Sequence, residues 1–331
     1  MRRAAAIVCV VVCAGCTSHG GRAPVSASSA SQRHATVGSS TPWPSTHQAT
    51  ATRTAPSAPI AATADNPAVV PAIAEDPSTL GRQLVAVERA VRAPGTSRSR
   101  LLAAARTAQV AYRRLALHLD WDAMVLALVP ASLRATVVAN LRARRELQAI
   151  IIPAPKDLLP PWRIEAPAPA GELLAWYHAA GAQFGVGWQY LAAVNLAETT
   201  FGKIHGLSAS GAQGPMQFLP ETWTRYGNGG DVTDPHDAIF AAARYLADRG
   251  FERGDVDGAL YAYNPTVHYR NAIKAIASVL VTDPGSFAGY YRWDVYYPTS
   301  SGVLLLPHGF SEDHRTSAAA YARTHPERVL Q

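Results

Sequence analysis

The stretch NLAETTFGKIHGLSASGAQGPMQF, from Asn195 to Phe218, joins an apolar helical pattern to a single acidic residue. Trp188, Leu191, Asn195 and Glu198 are spaced by three, four and three residues, so a helix places them on one stripe. An ionised carboxylate on a core-facing stripe is costly unless it is paired or takes up a proton. The pattern therefore predicts that Glu198 is either a structural acid or one with a raised pKa.

Both interpretations of Glu198 are open from the spacing alone. A hydrogen bond to a backbone turn, or an ion pair with Lys203, would make the carboxyl structural. Desolvation by neighbouring apolar groups, with Phe201 beside it, would instead raise its pKa. A raised pKa is what a general acid for cleaving a glycosidic bond requires near neutral pH.

Two further motifs could contribute to a site. Ser210–Gln217 reads SGAQGPMQ, a small-residue loop that permits close approach of a ligand and ends in an amide able to hydrogen-bond sugar hydroxyls. Tyr263 and Asn264 come together just before Pro265, where the chain must bend. Simpler alternatives are a plain turn for the loop, and a core tyrosine with a capping asparagine for the pair.

Five motifs in this order resemble the transglycosylase domain shared by lytic transglycosylases and goose-type lysozymes. They are ETTF (198–201), SGAQGPMQF (210–218), PETW (220–223), DPHDAIFAAARYL (234–246) and ALYAYN (259–264). The resemblance covers about 173–280, and its QF variant and YNPTVHY segment (263–269) are most similar to B-type membrane-bound enzymes and to actinobacterial lipoproteins. It implies a lysozyme-like, mainly helical fold that cleaves the β-1,4 bond between N-acetylmuramic acid and N-acetylglucosamine.

The resemblance also implies residue roles, with Glu198 as the catalytic acid/base. The remaining matched positions are Ser210 and Gln217 as substrate-side groups, Met216 as a wall of the sugar groove, and Tyr263 with Asn264 as partners of the glutamate or the sugar. One departure is Thr199, where many members have serine, a change too small to alter the chemistry.

A second departure concerns metal binding. B-type enzymes carry an Asp-rich calcium loop, whereas GNGGDVTDP (227–235) offers only Asp231 and Asp234. Because a calcium cage needs six to eight oxygens, we expect no metal, and we interpret Asp234 as a helix cap.

A single-acid mechanism follows from the resemblance. Glu221, the obvious second carboxylate, comes directly after Pro220 at a helix start, where an acid stabilises the helix dipole. Glu198 alone would then protonate the leaving oxygen and take a proton from the C6 hydroxyl, giving 1,6-anhydromuramyl ends without a cofactor.

The alternatives are a lysozyme-type hydrolase and a non-catalytic wall-binding lipoprotein. A serine hydrolase is disfavoured because GLSAS (206–210) lacks the final glycine of the nucleophile elbow.

The N-terminus has the layout of an export signal. Two arginines and a short apolar run precede small residues, and Cys9, Cys13 and Cys16 are the only cysteines of the chain. Ala14, Gly15 and Cys16 resemble a lipobox, with Cys13 where leucine is usual, so we expect a lipid on Cys16 and an anchor on the outer face of the cytoplasmic membrane. Ordinary signal cleavage nearby is the alternative.

Composition defines the remaining organisation of the 331 residues, whose formal charge is +6. From 78 to 150 arginines outnumber acids about three to one, for which we expect a solvated helical face rather than contact with anionic polymers. No nucleic-acid motif occurs, and we expect peptidoglycan as partner, with proteins of wall synthesis left open.

The predicted segments are a signal peptide (1–15), a disordered Ser/Thr/Pro/Ala linker (16–77), a helical subdomain (78–152), a Pro-rich connection (153–170), a transglycosylase domain (171–282), and a C-terminal β-hairpin with tail (283–331).

Overall fold

The computed structural model describes residues 66–150 and 156–330, and these are mainly helical, as predicted. The predicted signal peptide, Cys16 and most of the linker lie outside the described residues. Within the two described ranges, no helix is both long and apolar enough to cross a bilayer. All described residues belong to one compact unit, and the segment boundaries predicted from composition stay predictions.

Four helices form the N-terminal part: α1 (Pro77–Arg92), α2 (Arg98–Leu117), α3 (Asp122–Leu128) and α4 (Ala131–Ile150). Leu80, Leu84, Val87 and Val91 recur at helical spacing, which predicts one apolar stripe, and burial of the first three confirms it. The sequence also predicts Ser78 or Thr79 as the cap of this helix, which is wrong, because the Asp76 side chain accepts a hydrogen bond from the Thr79 amide at 2.9 Å. Pro77 fills the first helical position, where its missing N–H costs nothing.

Residues 66–76, which composition assigns to the linker, contact the helices and the C-terminal part of the chain. The guanidinium of Arg106 donates to the carbonyls of Asn66 at 2.8 Å and Val69 at 2.7 Å. The Val70 amide also donates to the carbonyl of Glu327 at 2.9 Å. These backbone contacts hold 66–76 in place, although its composition resembles that of the residues before it.

Seven helices follow the proline-rich connection. The sequence pattern predicts helices over 171–184, 187–200, 220–226, 235–249 and 267–280, and these five start and end within two residues of those limits. The seven helices are α5 (Ala170–Phe184), α6 (Trp188–Thr199), α7 (Pro220–Tyr226), α8 (Pro235–Asp248), α9 (Val256–Tyr263), α10 (Val267–Thr282) and α11 (Ser286–Tyr290). Gly185 ends α5 in the left-handed region, with φ at +66°. Asp234 caps α8 as predicted, accepting from the Asp237 amide at 3.0 Å.

Short strands complete the fold, together with the last helix, α12 (Ala318–Thr324). They are β1 (Leu158–Leu159), β2 (Arg163–Ile164), β3 (Ile204–His205), β4 (Val295–Thr299), β5 (Gly302–Leu306), β6 (Thr316–Ser317) and β7 (Val329–Leu330). The predicted hairpin is confirmed as the antiparallel pair β4 and β5, and β7 adds a third strand beside β5. The pair β2 and β3 ties the connection to the chain that follows α6.

Helix α4 joins the N-terminal helices to the later ones. Its Leu133, Val137 and Leu141 pack in one apolar cluster with α1 and α2. Its Ala143 and Ile150 belong to the larger cluster built from α5, α6, α8 and α10. The most extensive helix pairing of the described chain is that of α4 with α10.

Candidate active site

The carboxyl of Glu198 lies in the last turn of α6, on the buried side of that helix. Leu191, Asn195 and Glu198 are 0–1% exposed, and Trp188 is half-buried, so the predicted core-facing stripe is confirmed. Directly after the helix, Thr200 and Phe201 have φ values of +53° and +66°. The chain therefore turns sharply just beyond the acid.

The carboxyl has one hydrogen-bond partner. Its Oε1 accepts from the Tyr269 hydroxyl at 2.8 Å, whereas Oε2 is buried and has no partner among the described residues. Burial raises the pKa of Glu198 to about 8, and the hydrogen bond from Tyr269 opposes that rise. Glu198 is therefore protonated at neutral pH and offers a proton from an enclosed position.

The alternative in which Lys203 pairs with Glu198 is wrong. The Lys203 ammonium donates to the backbone carbonyl of Tyr291 at 2.9 Å and to that of Trp293. Burial lowers its pKa to about 8. Lys203 thus binds the segment that leads into the hairpin and leaves the carboxyl without a cation.

Two stacked tyrosines lie behind the carboxyl. The rings of Tyr263 and Tyr269 are 6.3 Å apart and almost parallel, with an interplanar angle of 2°. The Tyr263 hydroxyl donates to the carbonyl of Met216 at 2.7 Å. Tyr263 therefore holds the loop, and it is Tyr269 that contacts the acid.

Tyr269 is the site residue that the sequence analysis missed. It closes the YNPTVHY segment, and the Thr266 side chain caps α10 by accepting from its amide at 3.1 Å. This position in the first turn of α10 turns the ring toward the core. The spacing of six between Tyr263 and Tyr269 is the signal that could have indicated a second tyrosine at the site.

The SGAQGPMQ loop is fastened to α6 at the carbonyl of Pro215. Asn195 donates to this carbonyl through Nδ2 at 2.8 Å, and the Thr199 hydroxyl donates to it at 2.6 Å. The Tyr177 hydroxyl in turn donates to Asn195 Oδ1 at 2.5 Å, which orients the amide. Asn195, one turn before Glu198, and Thr199, directly after it, thus set the position of the loop.

The loop residues named by the resemblance differ in exposure. Met216 is fully buried and Gln217 is 4% exposed, with φ at +53° and its Nε2 donating to the carbonyl of Gly214 at 2.9 Å. Ser210 is exposed in the outer part of the loop, and Asn264 is buried at the end of α9. Glu198 contacts Tyr269, Tyr269 stacks on Tyr263, and Tyr263 contacts Met216, so the site is connected with the Met216 end of the loop. Ser210 lies at the exposed end of that loop.

The remaining acids of the site region are exposed or half-buried. Glu221 is exposed in the first turn of α7, as expected for an acid that stabilises a helix start. Asp234, His236 and Asp237 bring potential ligand atoms within 4.8 Å of one another at the surface. Hydrogen bonds already use two of these carboxylates, since Asp234 caps α8 and Asp237 accepts from the Asp231 amide at 3.0 Å. The absence of a metal stays a prediction.

Residues 176–275 match the family model described as the Transglycosylase SLT domain. This segment is an SLT domain. It includes Glu198, the loop and both stacked tyrosines, and it confirms both the resemblance and the lysozyme-like, mainly helical fold class. The family is that of the lytic transglycosylases, which act on peptidoglycan, and it supports assignment of the chain as an enzyme. Neither a curated protein nor a solved structure matches the chain.

Proposed function

We propose that the SLT domain is a peptidoglycan lytic transglycosylase in which Glu198 is the single acid and base. The observation that supports this function is the buried carboxyl with a pKa of about 8 at the end of α6. A carboxyl that keeps its proton at neutral pH can give it to the oxygen of a glycosidic bond as that bond breaks. Peptidoglycan, as the substrate of the SLT family, supplies the β-1,4 bond after N-acetylmuramic acid.

The second half of the reaction needs a nucleophile, and the substrate itself has one. Glu198 is the only buried acid within residues 176–275, all of which the structure describes, so no second carboxylate shares its environment. In the proposed step, ionised Glu198 takes the proton of the C6 hydroxyl while that oxygen bonds to C1. The products are a 1,6-anhydromuramyl end and a free hydroxyl on the departing sugar, and no water is consumed. An internal nucleophile gains from high effective molarity.

Substrate access requires a movement. Glu198 has no exposed surface in this structure, so a glycan strand reaches the carboxyl only when the groups that cover it are displaced. Opening of this kind is common in enzymes that exclude water from their reaction. The buried state protects the proton on Glu198 until substrate binds.

The test is a digest of purified sacculi with the chain that starts after Cys16 and with its Glu198→Gln variant. Mass spectrometry of the released fragments is expected to show anhydro ends with the parent chain and no release with the variant. Glu221→Gln is the matched control, because it removes an exposed acid of the same domain and should keep full activity.

Two other outcomes would contradict the proposal. Reducing ends would identify a lysozyme-type hydrolase, in which water attacks C1 in place of the C6 hydroxyl. Binding of the sacculi without any release by the parent chain would identify a non-catalytic wall-binding protein.

We also propose that the mature chain starts at Cys16 and is lipid-anchored on the outer face of the cytoplasmic membrane. The sequence motif Ala14–Gly15–Cys16 after an apolar run supports this location. Labelled palmitate should be incorporated into the expressed chain and be lost in Cys16→Ser. Equal labelling of both would contradict the anchor at this residue.

A further inference from the structure

A cavity of about 80 Å³ lies where α2 and α4 meet α6 and the residues that lead into the hairpin. Arg113 of α2 and Arg144 of α4 line it, and Asp294 lies at the same cavity. Leu196, Ile276 and Trp293 contribute apolar surface. Both arginines keep part of their surface exposed, so the cavity communicates with solvent.

Among the described residues, Asp294 is the one carboxylate that attracts Arg113, and no carboxylate attracts Arg144. The Nε atoms of Arg113 and Arg144 are buried without a hydrogen-bond partner in the described chain, and no ion pair joins either guanidinium to a described residue. Arg113 lies over the ring of Tyr296, with its central carbon 4.5 Å from the ring centroid. Burial lowers the pKa of Arg113 to about 10 and that of Arg144 well below its usual range. Two half-buried guanidinium groups that line one cavity, each with an unpartnered buried Nε, make the cavity electropositive and favour an anion there.

The nearest carboxylate is already committed elsewhere. Asp294 accepts from Nε of buried Arg106 at 2.6 Å, and Lys203 adds a further positive charge close to it. Three cations, Arg106, Lys203 and Arg113, therefore act on the one carboxylate of Asp294, and Arg144 lies close to Arg113. Arg113 also lowers the pKa of Arg144 by repulsion. One more negative charge between the two arginines would relieve this excess.

The size and chemistry of the cavity restrict the ligand. One water needs about 10–15 Å³ of such space, so 80 Å³ holds roughly five to eight heavy atoms. That is enough for the last residue of a peptide with its carboxylate, but not for a sugar ring with its substituents. Guanidinium groups present paired N–H donors that match the two oxygens of a carboxylate. The apolar wall made by Leu196, Ile276 and Trp293 suits a methyl group beside that carboxylate.

We propose that Arg113 and Arg144 form a binding site for a carboxylate that carries a small apolar group, such as the C-terminal D-alanine of a peptidoglycan stem peptide. The carboxylate site stands on the cavity itself, whereas the stem peptide as its source rests on the proposed function. Leu196, Ala197 and Thr200, which flank Glu198 in sequence, line the cavity. A peptide bound there would contact the same helix that carries the acid, so the site would select strands by their peptides.

The direct test is calorimetric titration of the full chain, purified in detergent, with N-acetyl-D-alanine and with its uncharged amide. Binding is expected for the acid alone, and Arg113→Gln or Arg144→Gln should each weaken it by about tenfold or more, as loss of a bidentate charged contact implies. Arg142→Gln, which removes an exposed arginine of the same helix, should bind like the parent chain. Equal binding of acid and amide, or unchanged affinity in both cavity variants, would overturn the proposal.

Unfolding temperatures, measured with and without ligand, distinguish loss of the binding site from loss of the fold in Arg144→Gln. Without ligand, Arg144→Gln should unfold at the same or a higher temperature than the parent chain, because it removes a half-buried charge that no described carboxylate neutralises. N-acetyl-D-alanine should raise the unfolding temperature of the parent chain and leave that of the variant unchanged. A lower unfolding temperature of the ligand-free variant would show that Arg144 serves the fold itself and would overturn the site.

Two comparisons separate this inference from the proposed function. Glu198→Gln should bind N-acetyl-D-alanine like the parent chain, so the site can stand even when no anhydro ends are found. Sacculi with intact stem peptides should be bound more tightly by the parent chain than by Arg144→Gln, whereas glycan strands stripped of peptides should be bound equally. Equal binding of intact sacculi by both chains, or stronger binding of inorganic phosphate than of N-acetyl-D-alanine, would overturn the stem peptide as the source.

Discussion

At the residue scale, the state of Glu198 depends on two opposing effects. Burial favours the protonated form, and the hydrogen bond from Tyr269 favours the ionised form. Both forms are needed if one residue first gives a proton and then takes one. Tyr269 is therefore the residue that can hold the pKa of the acid near the pH at which it works.

Replacement of Tyr269 by phenylalanine tests this balance. Without the hydroxyl, the pKa of Glu198 should rise, because only the effect that lowers it is removed. Activity needs the protonated acid in the free enzyme and should fall as pH rises past about 8 in the parent chain. In Tyr269→Phe this fall should move to higher pH by about one unit, as a hydrogen bond of about 1 kcal/mol implies.

The measurement is the pH dependence of kcat/KM for release of anhydro fragments from sacculi. Tyr263→Phe is the control, because its hydroxyl bonds to Met216 and not to the acid. Its rate should decrease at all pH values alike. A shift of the alkaline limb in Tyr263→Phe but not in Tyr269→Phe would refute the assigned role of Tyr269.

The burial of Glu198 could be predicted from the sequence, but its partner could not. Spacing within one helix is a local property, so three, four and three residues sufficed to place the carboxyl on the buried stripe. Tyr269 lies 71 residues further along the chain and meets Glu198 only when α10 packs against α6. The Lys203 alternative failed for the same reason, since Lys203 binds carbonyls 88 and 90 residues away.

At the element scale, Thr199 fastens the SGAQGPMQ loop to the end of α6. Its hydroxyl donates to the Pro215 carbonyl at 2.6 Å and accepts from the Gly202 amide at 2.9 Å. Thr199→Val keeps the shape and removes these two bonds together with the longer one that the hydroxyl accepts from Asn195 Nδ2 at 3.3 Å, so it should lower the free energy of unfolding by about 1–3 kcal/mol. KM should rise as well, because the loop loses one of its two attachments at Pro215.

Urea denaturation and initial rates on sacculi measure these two effects. Thr199→Ser is the matched control, since it keeps the hydroxyl and removes only a methyl group. It should lose less stability than valine and keep the KM of the parent chain. Should serine and valine raise KM equally, the hydroxyl would have no part in holding the loop.

The elements themselves were predictable to different degrees. Helix α7 matched its predicted limits because Pro220 marks its start within the local sequence. The two-residue strands β2 and β3 carry no periodic signal, and they exist only because Arg163 pairs with His205 and Ile164 with Ile204 across the fold. Local chemistry therefore indicated the helices, whereas tertiary pairing decided the small strands.

At the scale of the whole molecule, the arginine-rich N-terminal helices are part of the main interior. The sequence predicted a solvated face for their charges, yet Arg106 is fully buried against Asp294, and the Nε atoms of Arg113 and Arg144 are buried at the cavity. Composition shows how many charges a segment has, but the carboxylate that pairs with Arg106 lies 188 residues further along the chain, just before the hairpin. That pairing could not be read from the segment alone.

Because α4 contributes to both large apolar clusters, the described chain should unfold as one unit. Leu141 packs with the N-terminal helices and Ile150 with the SLT helices, while the Tyr290 hydroxyl donates to Asn140 at 2.6 Å. Scanning calorimetry of a chain that starts at Asn66 should show a single transition whose calorimetric and van't Hoff enthalpies agree. A chain that starts at Ala168 lacks α4, exposes the buried face of α10, and should aggregate or unfold without a sharp transition. Two separate transitions in the longer chain, or a sharp one in the shorter chain, would show that the SLT domain folds without its N-terminal helices.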